Sequence, residues 1–216
     1  MAAIGDLMSW FAKLTDGLYP FEVVLLVLGI VLFIVLLIAF LRCVFRDKPY
    51  TGLLVFFVLP IAMIAYPSIQ SIQVGEGTVT IATKTAQLAQ NPNDQQLRVS
   101  LQADVAKLNA RPIRDAQTTS TLAEAQFALG NETAAQTNLQ KALNANPKLA
   151  AATQLQKKIQ LTQKLSTLTE QAKSQPADTA TKAELQSTVT ELQRVGVANP
   201  TAVRNMAAAR VVLNHQ

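Results

Sequence analysis

Apolar positions follow two regimes along the chain. Residues 23 to 41, VVLLVLGIVLFIVLLIAFL, run 19 positions without a charge or a proline. At the helical rise this run covers about 28 Å, close to the ~30 Å hydrocarbon core of a bilayer. A helix apolar on every face for that length matches a membrane span better than an amphipathic core helix. Glu22 and Arg42 mark its ends. After the polar break RCVFRDKPYT comes a second run, GLLVFFVLPIAMIAYPSI, at residues 52 to 69. Pro60 is expected to kink this run, because proline removes a backbone donor and crowds the preceding turn. Tyr66 and Pro67 suit its far interface. The pattern predicts a two-span helical hairpin over residues 20–72, with spans at about 22–43 and 51–69. The first run starts too late and lacks the basic flank of a cleaved signal peptide.

Before the hairpin, Ile4, Leu7, Met8, Phe11, Leu14 and Leu18 recur at helical spacing. Asp6, Ser9, Lys13 and Asp16 lie mostly away from that face. Residues 1–19 are therefore expected to form an amphipathic helix in the interface plane. The connection from Arg42 to Thr51 carries Arg42, Arg46 and Lys48, whereas residues 1–22 carry only Lys13. That imbalance places the connection in the cytoplasm and both termini outside, in the periplasm for a bacterial inner membrane.

Beyond a glycine-containing linker at 73–78 the pattern changes. Residues 79–216 show one long apolar side chain per turn among Ala, Gln, Thr and Asn, punctuated by prolines. Asn91-Pro92, Asn146-Pro147 and Asn199-Pro200 read as helix starts. Helices are expected at roughly 78–90, 94–109, 114–129, 132–145, 149–174, 178–195 and 200–213, making the fold class all-α. The alternating TVTIA at 78–82 also fits a short strand, without a partner nearby. Residues 155–172 carry a seam of Leu155, Ile159, Leu161, Leu165, Leu168 and Ala172.

One stretch carries more than periodicity. Leu122, Ala123, Leu129-Gly130, Ala135, Leu139, Ala142 and Pro147 stand where a tetratricopeptide repeat places its signature residues. Residues 116–149 resemble that family over one unit of about 34 residues. The match departs at Thr119 and Gln126, where large aromatics are usual. The resemblance implies two antiparallel helices approaching closely through alanines, a tight turn at Gly130, and a helical solenoid completed by the flanking helices.

Charge and chemistry then narrow the function. Residues 70–216 hold 15 of the 19 Lys and Arg and 10 of the 14 Asp and Glu, so the net +5 lies entirely there. The basic residues are scattered without interleaved aromatics, which argues against nucleic acid. Cys43 is the only cysteine and His215 the only histidine, one position from the end. The acids are scattered singly, and GEG at 75–77 is too short for a phosphate loop. No catalytic, metal or cofactor site and no small-molecule substrate is expected. Asn131-Glu132-Thr133 fits a glycosylation acceptor, but it falls in the expected repeat turn.

These features imply a non-enzymatic membrane-anchored scaffold, an accessory subunit of a larger respiratory, photosynthetic or secretion-type complex. Its partners would be other membrane subunits and the bilayer. Arg111, Arg114, Lys157 and Lys158 are the candidate docking cations. Two alternatives stay open. One is an assembly chaperone, since the layout resembles a cytochrome c maturation factor with two spans and an external repeat domain. The other is a sensor acting through the hairpin.

Overall fold

The computed structural model describes residue 15 and residues 17–45, 54–175 and 178–214. Among these the chain forms eight helices and no strand. They are α1 (Pro20–Val44), α2 (Val58–Gln90), α3 (Gln95–Asn109), α4 (Ala116–Leu129), α5 (Glu132–Ala145), α6 (Ala150–Ser174), α7 (Thr179–Val195) and α8 (Pro200–Asn214). Two compact units result: Met1–Glu76 with Ala110–Ile113, and Gly77–Asn109 with Arg114–Gln216. The expected interfacial helix, apart from its last residues, and most of the 42–51 connection, with Arg46 and Lys48, lie outside the described residues. So does His215.

In the first unit α1 and the start of α2 run antiparallel. Phe57 meets Phe40 and Phe33 edge-on, at centroid distances of 6.2 and 5.5 Å. Gly29 sits against Pro60, Met63 and Ile64, and Gly17, at φ 74°, against Val74. A β-carbon at Gly29 would lie 3.0 Å from Met63 Cβ and Ile64 Cγ1, so a side chain here would push these neighbours away. The inward face of α1 is Glu22, Leu26 and Gly29, one residue per turn. Much of the rest of its apolar surface, including Val24, Leu28, Val31, Val35, Ile38 and Leu41, is exposed. Both α1 and α2 are long and apolar enough to cross a membrane.

The helix of the second apolar run does not stop where the run ends, near residue 69. The helix that begins at Val58 continues for 33 residues, through Pro67 and through the segment expected as a linker at 73–78. Gly75 and Gly77 each cost a helix only about 1 kcal/mol. Tertiary packing outweighs that cost: Val74, Ile81 and Leu88 recur every seventh position and are all buried. Gly77 also faces Leu108 of α3. The alternating TVTIA segment is helical for the same reason. Pro60 lies in the first turn of α2, and the preceding helical residues, 54 and 55, are separated from it by a turn at 56–57. That is where the ring of Pro60 would crowd the carbonyl four residues back.

In the second unit the helix ends fall within two residues of the sequence expectations from α3 to α8, and the reasons are visible locally. Asp115 caps α4 by accepting from the Thr118 N–H at 2.7 Å. Gly130 closes it at φ 91°, a left-handed conformation that suits glycine. Helix α4 packs against α3, α5 and α6, and α8 packs on both α6 and α7. Because α4 is covered on most sides, nine of its residues are buried, from Thr118 to Ala128. Small side chains let neighbours approach from several directions, which explains a helix so poor in bulk.

Threonine supplies part of this core. Thr162 is buried where the sequence seam had pointed to Leu161, which is only partly covered. Its hydroxyl donates to the Lys158 carbonyl at 2.9 Å. Thr85, Thr169 and Thr188 are buried in the same way, each donating to the carbonyl four residues back. With the hydroxyl satisfied on its own helix, threonine packs like valine. Two ion pairs register α6 against α7: Lys157–Glu191 at 2.6 Å and Lys164–Glu184 at 2.5 Å. Being partly exposed, each contributes about 0–1 kcal/mol.

Two consequences can be measured. Residues 77–216 produced alone should be soluble and mainly helical by circular dichroism, and a sheet-rich spectrum would contradict the fold. Within that fragment Leu185→Ala, at a fully buried position, should cost about 2–5 kcal/mol in a urea titration. Leu139→Asp should unfold much of it by placing an unpartnered charge between α4 and α5.

Candidate functional site

Polar side chains converge at one place in the first unit. Glu22, in the first turn of α1, has a side chain only 2% exposed. One carboxylate oxygen accepts the Tyr19 N–H at 2.8 Å, satisfying a donor that the helix start leaves open. The other lies 3.5 Å from Nη1 of Arg111. Arg111 also donates through Nη2 to the Gln70 side chain on α2. Its guanidinium stands over the Tyr19 ring, 5.5 Å from the centroid. The Tyr19 hydroxyl in turn donates to the Ala110 carbonyl at 2.8 Å. Two helices and the α3–α4 connection thus meet at one guanidinium. Removing Arg111 alone would leave Glu22 a buried unpaired charge, a loss of about 3–5 kcal/mol. The pairing is incomplete, since buried Nη1 makes no hydrogen bond at all.

The second unit has a groove of about 470 Å³. Ala82, Ala86 and Ala89 of α2 form one wall, Ser120, Thr121 and Phe127 of α4 the floor, and the Gly196–Ala198 connection the far side. Its charged lining is Glu124 and Lys158, which neutralise each other at 2.7 Å. A lining of small and neutral side chains presents shape more than charge. It offers no paired carboxylates, no nucleophile with a base and no anion cradle.

Near it, an Asn-Pro pair acts as a tertiary anchor. Asn199 is fully buried. Its amide donates to the Phe127 carbonyl at 2.8 Å, and its oxygen accepts the Ala202 N–H at 2.9 Å. One side chain therefore caps the end of α4 and the start of α8. Pro200 rests against Gly130, where a β-carbon would lie 3.4 Å from its ring. Arg98 adds a second donor at the same helix end, to the Ala128 carbonyl at 3.2 Å, while holding the Pro92 carbonyl at 2.8 Å. Cationic donors there favour the negative end of the helix dipole.

The expected site residues are distributed as follows. Leu122, Ala123, Ala135, Leu139 and Ala142 are buried between α4, α5 and their neighbours, and Gly130 makes the turn. Pro147 lies in the α5–α6 connection, where Asn146 accepts the Lys148 N–H at 3.1 Å. The four docking cations have different surroundings. Arg111 is engaged by Glu22, Gln70 and Tyr19 within the first unit. Lys157 and Lys158 are paired with different helices, α7 and α4. Arg114 belongs to the second unit and precedes the Asp115 cap. The reason is physical: scattered cations on a helical bundle meet the scattered acids of neighbouring helices before they meet a partner.

Gln126 and Thr119, the departures from the repeat pattern, are both buried. Asn138 of α5 donates to the Gln126 side chain at 2.8 Å, and the Thr119 hydroxyl donates to the Asp115 carbonyl at 2.7 Å. Tyr19, Gln70 and the double role of Asn199 escaped sequence reading. Only an ionisable residue at the first apolar turn, Glu22, signalled the polar cluster. Among the described residues no group of three or more His, Cys, Asp or Glu is placed to hold a metal ion. Comparison with protein-family models, curated proteins and solved structures finds no match.

Two carboxylates outside the hairpin are held below their ordinary values. The Thr181 hydroxyl, then the Thr181 and Ala180 N–H groups, lower Asp178 from 3.8. The hydrogen bond and charge of Lys157 lower Glu191 from 4.5. A lowered folded-state pKa stabilises the fold above the ordinary value, and this is lost as pH falls through the lowered one. The melting temperature of residues 77–216 should therefore decline below about pH 4.5, and less steeply in Asp178→Asn with Glu191→Gln. Asn199→Ala should cost about 1–3 kcal/mol at neutral pH, because a buried carbonyl and a helix-start N–H lose their partner together.

Proposed function

We propose that the chain is a membrane-anchored, non-enzymatic accessory subunit. Its helical hairpin fixes it in the bilayer, and its second unit, a tetratricopeptide-like helical domain, docks other proteins of a larger membrane complex. The observation carrying this reading is the exposed apolar surface of the hairpin. Only 11% of the apolar window of α1 and 17% of that of α2 is buried. A soluble core helix would be mostly covered, whereas lipid or the spans of other subunits would cover this surface. The α4–α5 hairpin, closed by Gly130 and packed through Ala123, Ala135 and Ala142, supports the repeat-like reading. The near-neutral groove beside it supports recognition of an extended peptide or helix by shape. With the basic connection in the cytoplasm, both termini and the docking domain would be periplasmic.

Single-cysteine labelling in a Cys43→Ala background tests the topology. An impermeant maleimide applied to spheroplasts should modify cysteine at Gln73 or Asn214 and spare one at Asp47. Modification at Asp47 alone would reverse the orientation. Native purification in mild detergent tests the role. A stoichiometric set of membrane subunits should remain attached, whereas varied substoichiometric clients would indicate an assembly chaperone.

A further inference from the structure

We infer that Arg111 is a releasable latch, through which the packing of α1 against α2 controls the order of the α3–α4 connection. Its contacts come from both helices: Glu22 and Tyr19 from the start of α1, Gln70 from α2. Glu22 and Tyr19 supply the charge and ring contacts, and Gln70 accepts a hydrogen bond. The full set is met only while these two helices stay side by side, with Gly29 against Met63 and Ile64.

Two details make the latch releasable. Nη1 is buried, 3.5 Å from the carboxylate, and forms no hydrogen bond. Desolvation of this pair is thus only partly offset, unlike that of a bidentate pair. Glu22 also keeps its second oxygen on the Tyr19 N–H, so the helix start remains capped when the guanidinium leaves. The closed state joins all partners, and the open state hydrates Glu22 and Arg111 separately.

What the latch holds is short and leads directly to α4. The Tyr19 hydroxyl binds the Ala110 carbonyl, Arg111 follows, and Pro112 stiffens the next bond. Three residues later Asp115 caps α4, whose Ser120, Thr121 and Phe127 floor the groove. Parting α1 from α2 would strip Arg111 of its hydrogen bond to Gln70 and so loosen residues 110–113 ahead of α4. This device goes beyond the scaffold reading and does not require it, because the contact can be assayed in purified protein without a partner or an oriented membrane.

Limited trypsin digestion of the full chain in detergent micelles reads it directly. Trypsin does not cut Arg111-Pro112, so the probe is the Arg114-Asp115 bond, followed by mass spectrometry of that cleavage. Cleavage reports the population of the open connection when opening is fast. Arg111→Ala and Gly29→Leu should each raise the initial rate about tenfold or more, and the double variant should add little further. Glu22→Arg and Arg111→Glu should each accelerate cleavage, and the two together should restore protection. Far-UV circular dichroism of each variant confirms that the helices are retained. An unchanged rate in Arg111→Ala, an unrescued charge swap, or multiplying effects of Arg111→Ala and Gly29→Leu would overturn the latch.

Discussion

A helix buried on nearly all sides can keep polar residues only if each finds its partner inside the protein. Helix α4 meets this condition at both ends and across the α4–α5 hairpin. Thr118 and Thr119 bond back to Asp115, and Gln126 receives Asn138 across the hairpin. At the far end, the carbonyls of Phe127 and Ala128 are taken by Asn199 and Arg98. An unmet group at any of these places would cost about 1–3 kcal/mol. The helices around α4 are positioned by those demands: α5 through Asn138, α3 through Arg98, α8 through Asn199. Polar pairs fill this space by complementarity, which fixes register as well as contact.

The first unit follows a different constraint. Its apolar surface is turned outward, and what holds it together is a narrow strip where Gly17 and Gly29 admit the opposite helix and three phenylalanines close the other end. The polar cluster at Glu22 sits at one end of that strip, with the α3–α4 connection drawn into it. Hydrophobic matching is non-directional, so it cannot by itself set how two apolar helices are rotated. A carboxylate, a guanidinium and a phenol, each with a fixed partner, can.

How much of this the sequence disclosed depends on the kind of force. Helix limits in the second unit were legible because they are local: Asp115, Gly130, Asp178 and Pro200 act within one turn of where they stand. The long apolar run of α1 was legible because composition alone carries it. The continuation of α2 through residues 73–78 was not, since local signals from Gly75 and Gly77 oppose it and only burial of Val74, Ile81 and Leu88 decides it. The partners of Arg111 were equally hidden. Glu22 is 89 positions away and Gln70 is 41 away, and no periodic pattern links residues across such distances. Thr162 is buried deeper than the neighbouring Leu161, which a hydrophobicity scale misses because it does not know that a hydroxyl can be satisfied by its own backbone.

Those back-bonded threonines have a consequence outside the folded state. A core built from Thr, Ala and single leucines leaves the segment after residue 77 with no long aliphatic run. Sticky windows that seed intermolecular strands need several adjacent β-formers of high hydrophobicity and low charge. When this unit unfolds, each threonine hydroxyl exchanges its helix carbonyl for water, and the exposed chain reads as polar. The unfolded chain of this unit should therefore resist self-association better than a valine-based core of the same shape.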